Sequence, residues 1–383
     1  MVKYIRKDFK TILNKYRFID SWFWCRYSIN PYNGCEFACT YCDSRSHKYH
    51  LQPEFDHTIY IKNDVRTMVD NRLSRARTLL PDVVAIGGTC DAYQPAEVSY
   101  NNTRQCLEVL LKHHYPVYIS TKSTLISRDM DILSRIADDT WCAIGVTITT
   151  LDTKLAQFLE PKAPVPEKRL EVIKEIKKKC PQIQVGVSFI PIIPFLGDSE
   201  ENMEGVTSAA REAEADFILF GGGMTLRDSQ AAWFMEKLSQ KFPNLVTKYE
   251  ELYQGKYEPQ KRYLRQIHRT MLGLCEKYRL NFRLKRYIPQ DFRRQNYIVA
   301  QRLLDESYLS QMIGKTWTKT FWAGQNINNL RESIEDVARR NKLGKIRNVV
   351  PTIEEYVLSL LRGSSENNGS SSEYNRKLYH LSK

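Results

Sequence analysis

The sequence predicts an α/β fold: a partial (β/α)6 TIM-type barrel with a helical, basic C-terminal extension. Three observations predict it. Short β-branched runs alternate with helix-like stretches over about the first 240 residues. The runs are continuously apolar, as strands covered on both faces are, and crossovers of that length make neighbouring strands parallel. About six such units fit the chain, two short of a closed eight-fold barrel. The same pattern allows a flat doubly wound sheet as the alternative.

The elements follow in chain order. Ile29 and its neighbours supply a first strand. Further strands are expected over 82–89 (DVVAIGGT), 116–121 (PVYIST), 142–149 (CAIGVTIT), 183–192 (IQVGVSFIPI) and 216–222 (DFILFGG). Helices are expected over 63–79, 99–113, 129–138, 167–179, 200–214 and 228–240. The strand ends carry Gly, Ser and Thr, where barrel enzymes place ligands. Beyond about 224 the pattern turns to long helices rich in Tyr, Lys and Arg. Segment 280–289 (LNFRLKRYIP) offers one more strand, and 317–325 (WTKTFWAGQ) is aromatic and basic. The polar run 363–377 (GSSENNGSSSEYNRK) reads as a disordered tail. The resulting division is an N-terminal extension over 1–24, a core over 25–224, a helical basic region over 225–362 and a tail over 363–383.

With 383 residues, 42% hydrophobic and 26% charged, the chain is long enough for one large domain or two smaller ones. The start, Met1 to Lys7, is polar and basic with no apolar run behind it, so no signal peptide is expected. No apolar run is long enough for a membrane span, and the expected location is the cytoplasm. Of the net charge of +13, residues 251–383 supply 25 Lys/Arg against 13 Asp/Glu, a net of +12. That asymmetry suits a polyanion such as DNA or RNA, and equally a well-solvated helical surface.

Nine cysteines, an odd number, make a disulfide framework a poor account. Cys106 and Cys142 sit in apolar runs and read as small buried hydrophobes. Cys35, Cys39 and Cys42 are different: a C-x3-C-x2-C spacing whose thiolates can converge on a metal centre. Structural zinc takes four ligands, and no second Cys-x2-Cys pair is near; His47 and His50 offer a fourth ligand or plain surface. A [4Fe–4S] cluster on three thiolates keeps one iron open to a further ligand. Cluster, zinc and ordinary cysteines all remain compatible with the spacing alone.

The motif, with Tyr41 as its aromatic, resembles the signature of the radical S-adenosylmethionine (SAM) superfamily. "NPYNGC" (30–35), "GGTCDAYQPAE" (87–97), "STKSTLISRDMDIL" (120–133), "TITTLD" (147–152), "LEPKAPVPEKRLEVI" (159–173) and "FIPIIPFLGDSEEN" (189–202) occur in order. Together they resemble the DNA-repair photolyase-like branch related to spore photoproduct lyase, over about 30–222. The resemblance implies that Cys35, Cys39 and Cys42 ligate a [4Fe–4S] cluster and that SAM chelates the open iron. It implies Tyr41 near the adenine, Gly87, Gly88 and Thr89 at the methionine amino group, and Ser120 and Lys122 at the next strand end. Thr147 and Thr149 follow at the strand after that. Arg169 would pair with a SAM carboxylate, and Pro191 to Pro194 would shape the adenine side. The implied reaction is reductive cleavage of SAM to a 5′-deoxyadenosyl radical that abstracts hydrogen, with a flavodoxin- or ferredoxin-type reductant. The substrate is then a damaged or modified nucleotide in nucleic acid, or alternatively a small metabolite or peptide; a non-enzymatic metal-stabilised nucleic-acid-binding module is the third reading.

Two departures stand out. Position 43 is Asp, where family members often carry Tyr. Cys90 lies near the place of the lyase's hydrogen-donating cysteine, but in Gly-Thr-Cys-Asp rather than Cys-Thr-Ser-Asp, about two residues out of register.

Overall fold

The computed structural model describes residues 2–52, 54–76 and 78–363. Its strands are β1 (Lys3–Lys7), β2 (Leu13–Asp20), β3 (Cys25–Ile29), β4 (Tyr32–Asn33), β5 (Thr58–Lys62), β6 (Val84–Ile86), β7 (Val117–Thr121), β8 (Cys142–Thr147), β9 (Gln184–Phe189) and β10 (Ile218–Phe220). The chain divides into two compact units. One holds residues up to Lys15 and Cys25–Leu284; the other holds Tyr16–Trp24 and everything from Lys285.

In the first unit, β3, β6, β7, β8, β9 and β10 pair in that order, every pair parallel. Each new strand adds beside the last, with no reversal of direction. A doubly wound sheet reverses at a switch point; this one does not. The alternative of a flat doubly wound sheet is thereby corrected, and the partial barrel stands. The crossover helices Val65–Arg75, Asn102–Lys112, Met130–Asp139, Pro166–Lys179 and Glu200–Glu212 fall within a few residues of their expected places, and helix Asp228–Lys241 follows β10.

The register separates two faces. Tyr27, Ile29, Val84, Ile86, Val117, Ile119, Ile144, Val146, Val185 and Val187 share one face, β-branched and suited to the apolar sides of the helices. Ser28, Ala85, Ser120, Gly145, Thr147, Gly186 and Ser188 share the other with the larger Tyr118, Gln184 and Leu219, a face mostly of small and hydroxylic residues. Gly145 pairs with Gly186 across the β8–β9 ladder. A Cβ on Gly145 would meet the Ser188 hydroxyl and, at 2.5 Å, the Tyr118 hydroxyl; one on Gly186 would strike the Phe217 carbonyl oxygen. A second small sheet, β1–β5–β4, lies outside the expected elements.

Segment 280–289 is not the further strand expected of it. It makes only a single bridge, Asn281 with Phe217, and its chain is otherwise irregular. In the second unit, helix Arg294–Met312 packs on helix Thr318–Asn328, the aromatic and basic segment, around Ala300, Leu303, Ala323 and Ile327. Gln325 there donates to the Ile19 carbonyl at 2.9 Å. The tail expected from 363 onward lies, from residue 364, outside the described residues.

Because the obstacle at Gly186 is backbone, Gly186→Ala should lower the unfolding free energy by about 1–3 kcal/mol, as overpacking does. Urea unfolding of the cluster-free protein measures this; a loss below about 0.5 kcal/mol, the range of ordinary surface substitutions, would contradict the assigned register.

Candidate active site

Residues 34–42 leave the C-terminal end of β3 and β4 with no helix or strand of their own. Gly34 has φ +101°, and a Cβ there would lie 2.7 Å from both the Phe55 and Thr58 carbonyl oxygens, so only glycine fits. The Cys35 amide donates to the Phe55 carbonyl at 2.8 Å. Gln94 spans the same turn, donating to the Gly34 carbonyl at 3.0 Å and accepting from the Glu36 amide at 2.9 Å. Glu36 accepts in turn from the Ala96 amide and the Tyr4 hydroxyl. Further on, the Thr40 amide donates to the Leu159 carbonyl at 2.9 Å, and Gln230 donates to the Tyr41 carbonyl. Asp43 accepts from Thr225 and Tyr49, so this departure from the family pattern has a local anchoring role.

These bonds hold three free thiols together. Cys39 is buried, Cys35 and Cys42 are half-buried, and all three belong to one apolar cluster with Phe37, Tyr41, Leu159 and Ile193. Burial pushes the Cys35 thiol well up, with the Asp91 carboxylate adding to it. Burial also takes Cys39 up to about 12, opposed by the Lys122 cation. The Cys35 sulfur accepts from the Asp91 amide at 3.4 Å.

Behind the loop lies a buried chain of polar groups. The Tyr41 hydroxyl donates to Glu160. Glu160 pairs with Arg169 at 2.5 Å, both about 1% exposed. Arg169 also donates to the Thr147 carbonyl at 2.9 Å and the Pro164 carbonyl at 2.6 Å. Burial, with the facing Glu160 carboxylate, holds the Tyr41 phenol well above its usual range. Arg169 therefore ties the cysteine loop to the end of β8 through Glu160.

The other expected residues gather at the C-terminal strand ends. Gly87 has φ +88°, and a Cβ would sit 2.9 Å from the Cys90 carbonyl oxygen. Gly88 is exposed and open, and the Thr89 amide donates to Asn30 at 3.0 Å. Ser120 is half-buried at the end of β7. The Lys122 ammonium lies 5.6 Å from the Tyr41 ring centroid. Burial disfavours its charge, but Cys39, Glu160 and Asp91 outweigh that and raise it. Thr147 lends Arg169 its carbonyl, while the Thr149 and Ser188 hydroxyls are buried with no hydrogen-bond partner. Pro191 to Pro194 follow β9, with Pro191 half-buried. Cys90 packs with Tyr32, Ile59, Ile61 and Ala96 beside Cys35, and its thiol donates to the Tyr32 carbonyl at 3.5 Å. His47 and His50 are exposed.

Two contributors escaped assignment from sequence. Asp91 accepts from Thr121 and from the Lys122 amide, each at 2.7 Å, joining two strand ends. Glu160 stands in the quoted "LEP" turn, and its place before an alanine–proline turn gives no sign of a buried partner. The donor set fits an iron–sulfur cluster: three free thiols gathered in one largely apolar cluster of side chains. Among the described residues, no three His, Cys, Asp or Glu are arranged about a single ion; thiolates that each bind a different iron need not be.

A Radical SAM superfamily profile matches residues 29–207. An uncharacterized protein of Mycobacterium tuberculosis is 32% identical over 260 residues, covering 67% of this chain and 75% of that protein. An uncharacterized protein of Methanocaldococcus jannaschii is 30% identical over 176 residues, covering 46% of this chain and 63% of that protein. Spore photoproduct lyase complexed with dinucleoside spore photoproduct has TM-score 0.54 and 13% identity, over 72% of this chain and 79% of that chain. A mutant of the same lyase gives 0.55 over the same shares. At that identity the likeness is one of fold. The chain belongs to the radical SAM superfamily of enzymes, and membership implies use of SAM and a [4Fe–4S] cluster. Among the described residues, no helix is long and apolar enough to cross a membrane.

Glu160→Ala strands the buried Arg169 guanidinium and should destabilise the cluster-free protein by about 3–5 kcal/mol. Tyr41→Phe, which removes only one bond to the same carboxylate, should cost about 1–3 kcal/mol. Chemical unfolding ranks the two; equal small losses would contradict the relay.

Proposed function

We propose that this radical SAM enzyme holds its cluster on Cys35, Cys39 and Cys42 and acts on a damaged or modified nucleotide within DNA or RNA. The gathering of three free thiols in one apolar cluster at the strand ends is the observation that carries the reading. The chemistry the cofactors supply when bound is reductive cleavage of SAM and hydrogen abstraction by its 5′-deoxyadenosyl fragment; a flavodoxin- or ferredoxin-type partner in the cytoplasm supplies the electron.

The chain's own residues bind, orient and exclude water. Lys122 brings a half-buried cation beside Tyr41 at the cysteine cluster, suited to the SAM carboxylate. Arg169, already committed to Glu160 and two carbonyls, acts as a positioning residue. Thr149 and Ser188 offer unsatisfied hydroxyls to polar atoms of a ligand. The open backbone at Gly88 leaves room for the methionine amino group, with Gly87 and Thr89 shaping that turn. Tyr41, pinned by Glu160, keeps its ring against the pocket, and the Pro191 turn closes the far side near Ser120 and Thr147. Cys90, packed beside Cys35, is the candidate to return a hydrogen atom to a substrate radical.

Support for a nucleic acid comes from the basic C-terminal third and from the fold shared with a lyase whose structure holds a dinucleoside photoproduct. A base must leave its stack to reach the end of a barrel.

Cys39→Ala should lose most iron and abolish 5′-deoxyadenosine formation after anaerobic reconstitution; retained cleavage overturns the site. Cys90→Ala should keep SAM cleavage while changing turnover of a true substrate, and unchanged product formation reduces Cys90 to packing. DNA or RNA should change 5′-deoxyadenosine formation in a salt-dependent way; indifference to both points to a small metabolite or peptide.

A further inference from the structure

Helix Lys261–Lys277 buries Ile267, Met271, Leu272 and Cys275. Lys261, Arg262, Arg265 and Arg269 are exposed, and none of them makes an ion pair among the described residues. Arg262, Arg265 and Arg269 are spaced i, i+3 and i+7, which places them along one face. Helix stability does not account for the row. Its first turn carries Lys261 and Arg262 and no acid, against the preference of the helix dipole. The contrast within the chain is plain: on helix Val65–Arg75, Arg66 and Asp70 are matched by Glu108 and Lys112 of the neighbouring helix.

The helix that carries the row packs beside the end of β10 through another face. A Cβ on Gly222, just past β10, would collide with His268 of this helix, and Gly223 sits against Leu264 and Tyr263. The Tyr263 hydroxyl donates to Asp198 at 2.8 Å, on the loop that follows Pro191 to Pro194. Two exposed aromatic rings lie at the barrel rim, one on the chain that leaves β9 and one on a segment bonded to the chain that leaves β10. Phe195 is 38% exposed and meets Tyr249 edge-on at 5.4 Å. Tyr257 is 54% exposed, with the Arg227 guanidinium 5.1 Å from its ring centroid. Helix Val246–Tyr253 holds both loops in place: Tyr249 donates to the Pro194 carbonyl and Tyr253 to the Met224 carbonyl.

We infer that this rim binds a single-stranded polynucleotide, with Arg262, Arg265 and Arg269 on its phosphates and Phe195 and Tyr257 stacked on its bases. The inference rests on the nucleic-acid reading of the site and adds to it a surface and a strandedness. Unpaired cations in a row match a phosphate backbone. Exposed rings match base faces that are free only where the strand is not paired. A duplex would use the arginines and leave the rings idle.

The test is fluorescence anisotropy on the anaerobically reconstituted protein, with labelled DNA and RNA of about 15 nucleotides, single-stranded or as duplex. Single strands should bind at least several-fold more tightly than duplex of the same sequence. The triple reversal R262E/R265E/R269E should weaken binding tenfold or more and lower the slope of log affinity against log salt by about 2. The pair Phe195→Ala and Tyr257→Ala should weaken single-strand binding about tenfold or more and leave duplex binding unchanged. Duplex binding as tight as single-strand binding overturns the strandedness. Tight single-strand binding that survives the triple reversal overturns this surface and leaves the nucleic-acid reading standing. No binding of any oligonucleotide overturns both.

Discussion

A loop with no regular structure of its own must be shaped by what grips it, and here the grip is a buried pair of opposite charges. Glu160 and Arg169 lie almost wholly out of water. Such a pair adds little net stability over apolar packing, but losing one partner is severe, so it fixes a geometry rather than strengthening a core. What it fixes is Tyr41, and through Tyr41 the stretch between Cys39 and Cys42. The other end of the loop is fixed by Gly34 and Gln94, where glycine alone permits the approach of two carbonyls. The loop that carries the three thiols is thus held at both ends by its neighbours, which would limit the ordering that cluster assembly on the proposed ligands must impose.

The barrel serves the same end. Winding in one direction puts every strand end on one rim, so short segments far apart in sequence meet around the cysteines. Asp91 shows how they are joined: its amide donates to the Cys35 sulfur while its carboxylate accepts from the β7 end. On the sheet face that carries Ser120, Thr147 and Ser188, the glycines paired across β8 and β9 make room for the larger Tyr118 and Phe217 side chains. Buried hydroxyls left without partners at Thr149 and Ser188 are costly in an empty protein and are the sort of group that a polar ligand satisfies.

Much of this was legible in the amino-acid order. Apolar runs of strand length, separated by helical stretches, located the six barrel strands and their helices because that periodicity reflects burial directly. The cysteine spacing marked out Cys35, Cys39 and Cys42 as a group, and the structure brings them into one apolar cluster; the spacing alone left cluster, zinc and ordinary cysteines open. The irregular course of 280–289 was not legible: its β-branched and aromatic residues fit a strand, but only Asn281 finds a strand neighbour. The small β1–β5–β4 sheet joins segments more than fifty residues apart, and local pattern carries no sign of that pairing. Glu160 and Arg169 could be seen in their motif, yet their mutual burial depends on a helix turning back onto β8, which no short window of sequence encodes.

The proposed site leaves one iron of the cluster without a ligand from the polypeptide. Mössbauer spectroscopy of the anaerobically reconstituted protein, before and after addition of SAM, reads that site directly. The expected result is about four iron and four sulfide per chain, with one iron whose parameters change when SAM is added. Four irons all indifferent to SAM, or a colourless protein carrying a single zinc, would contradict it.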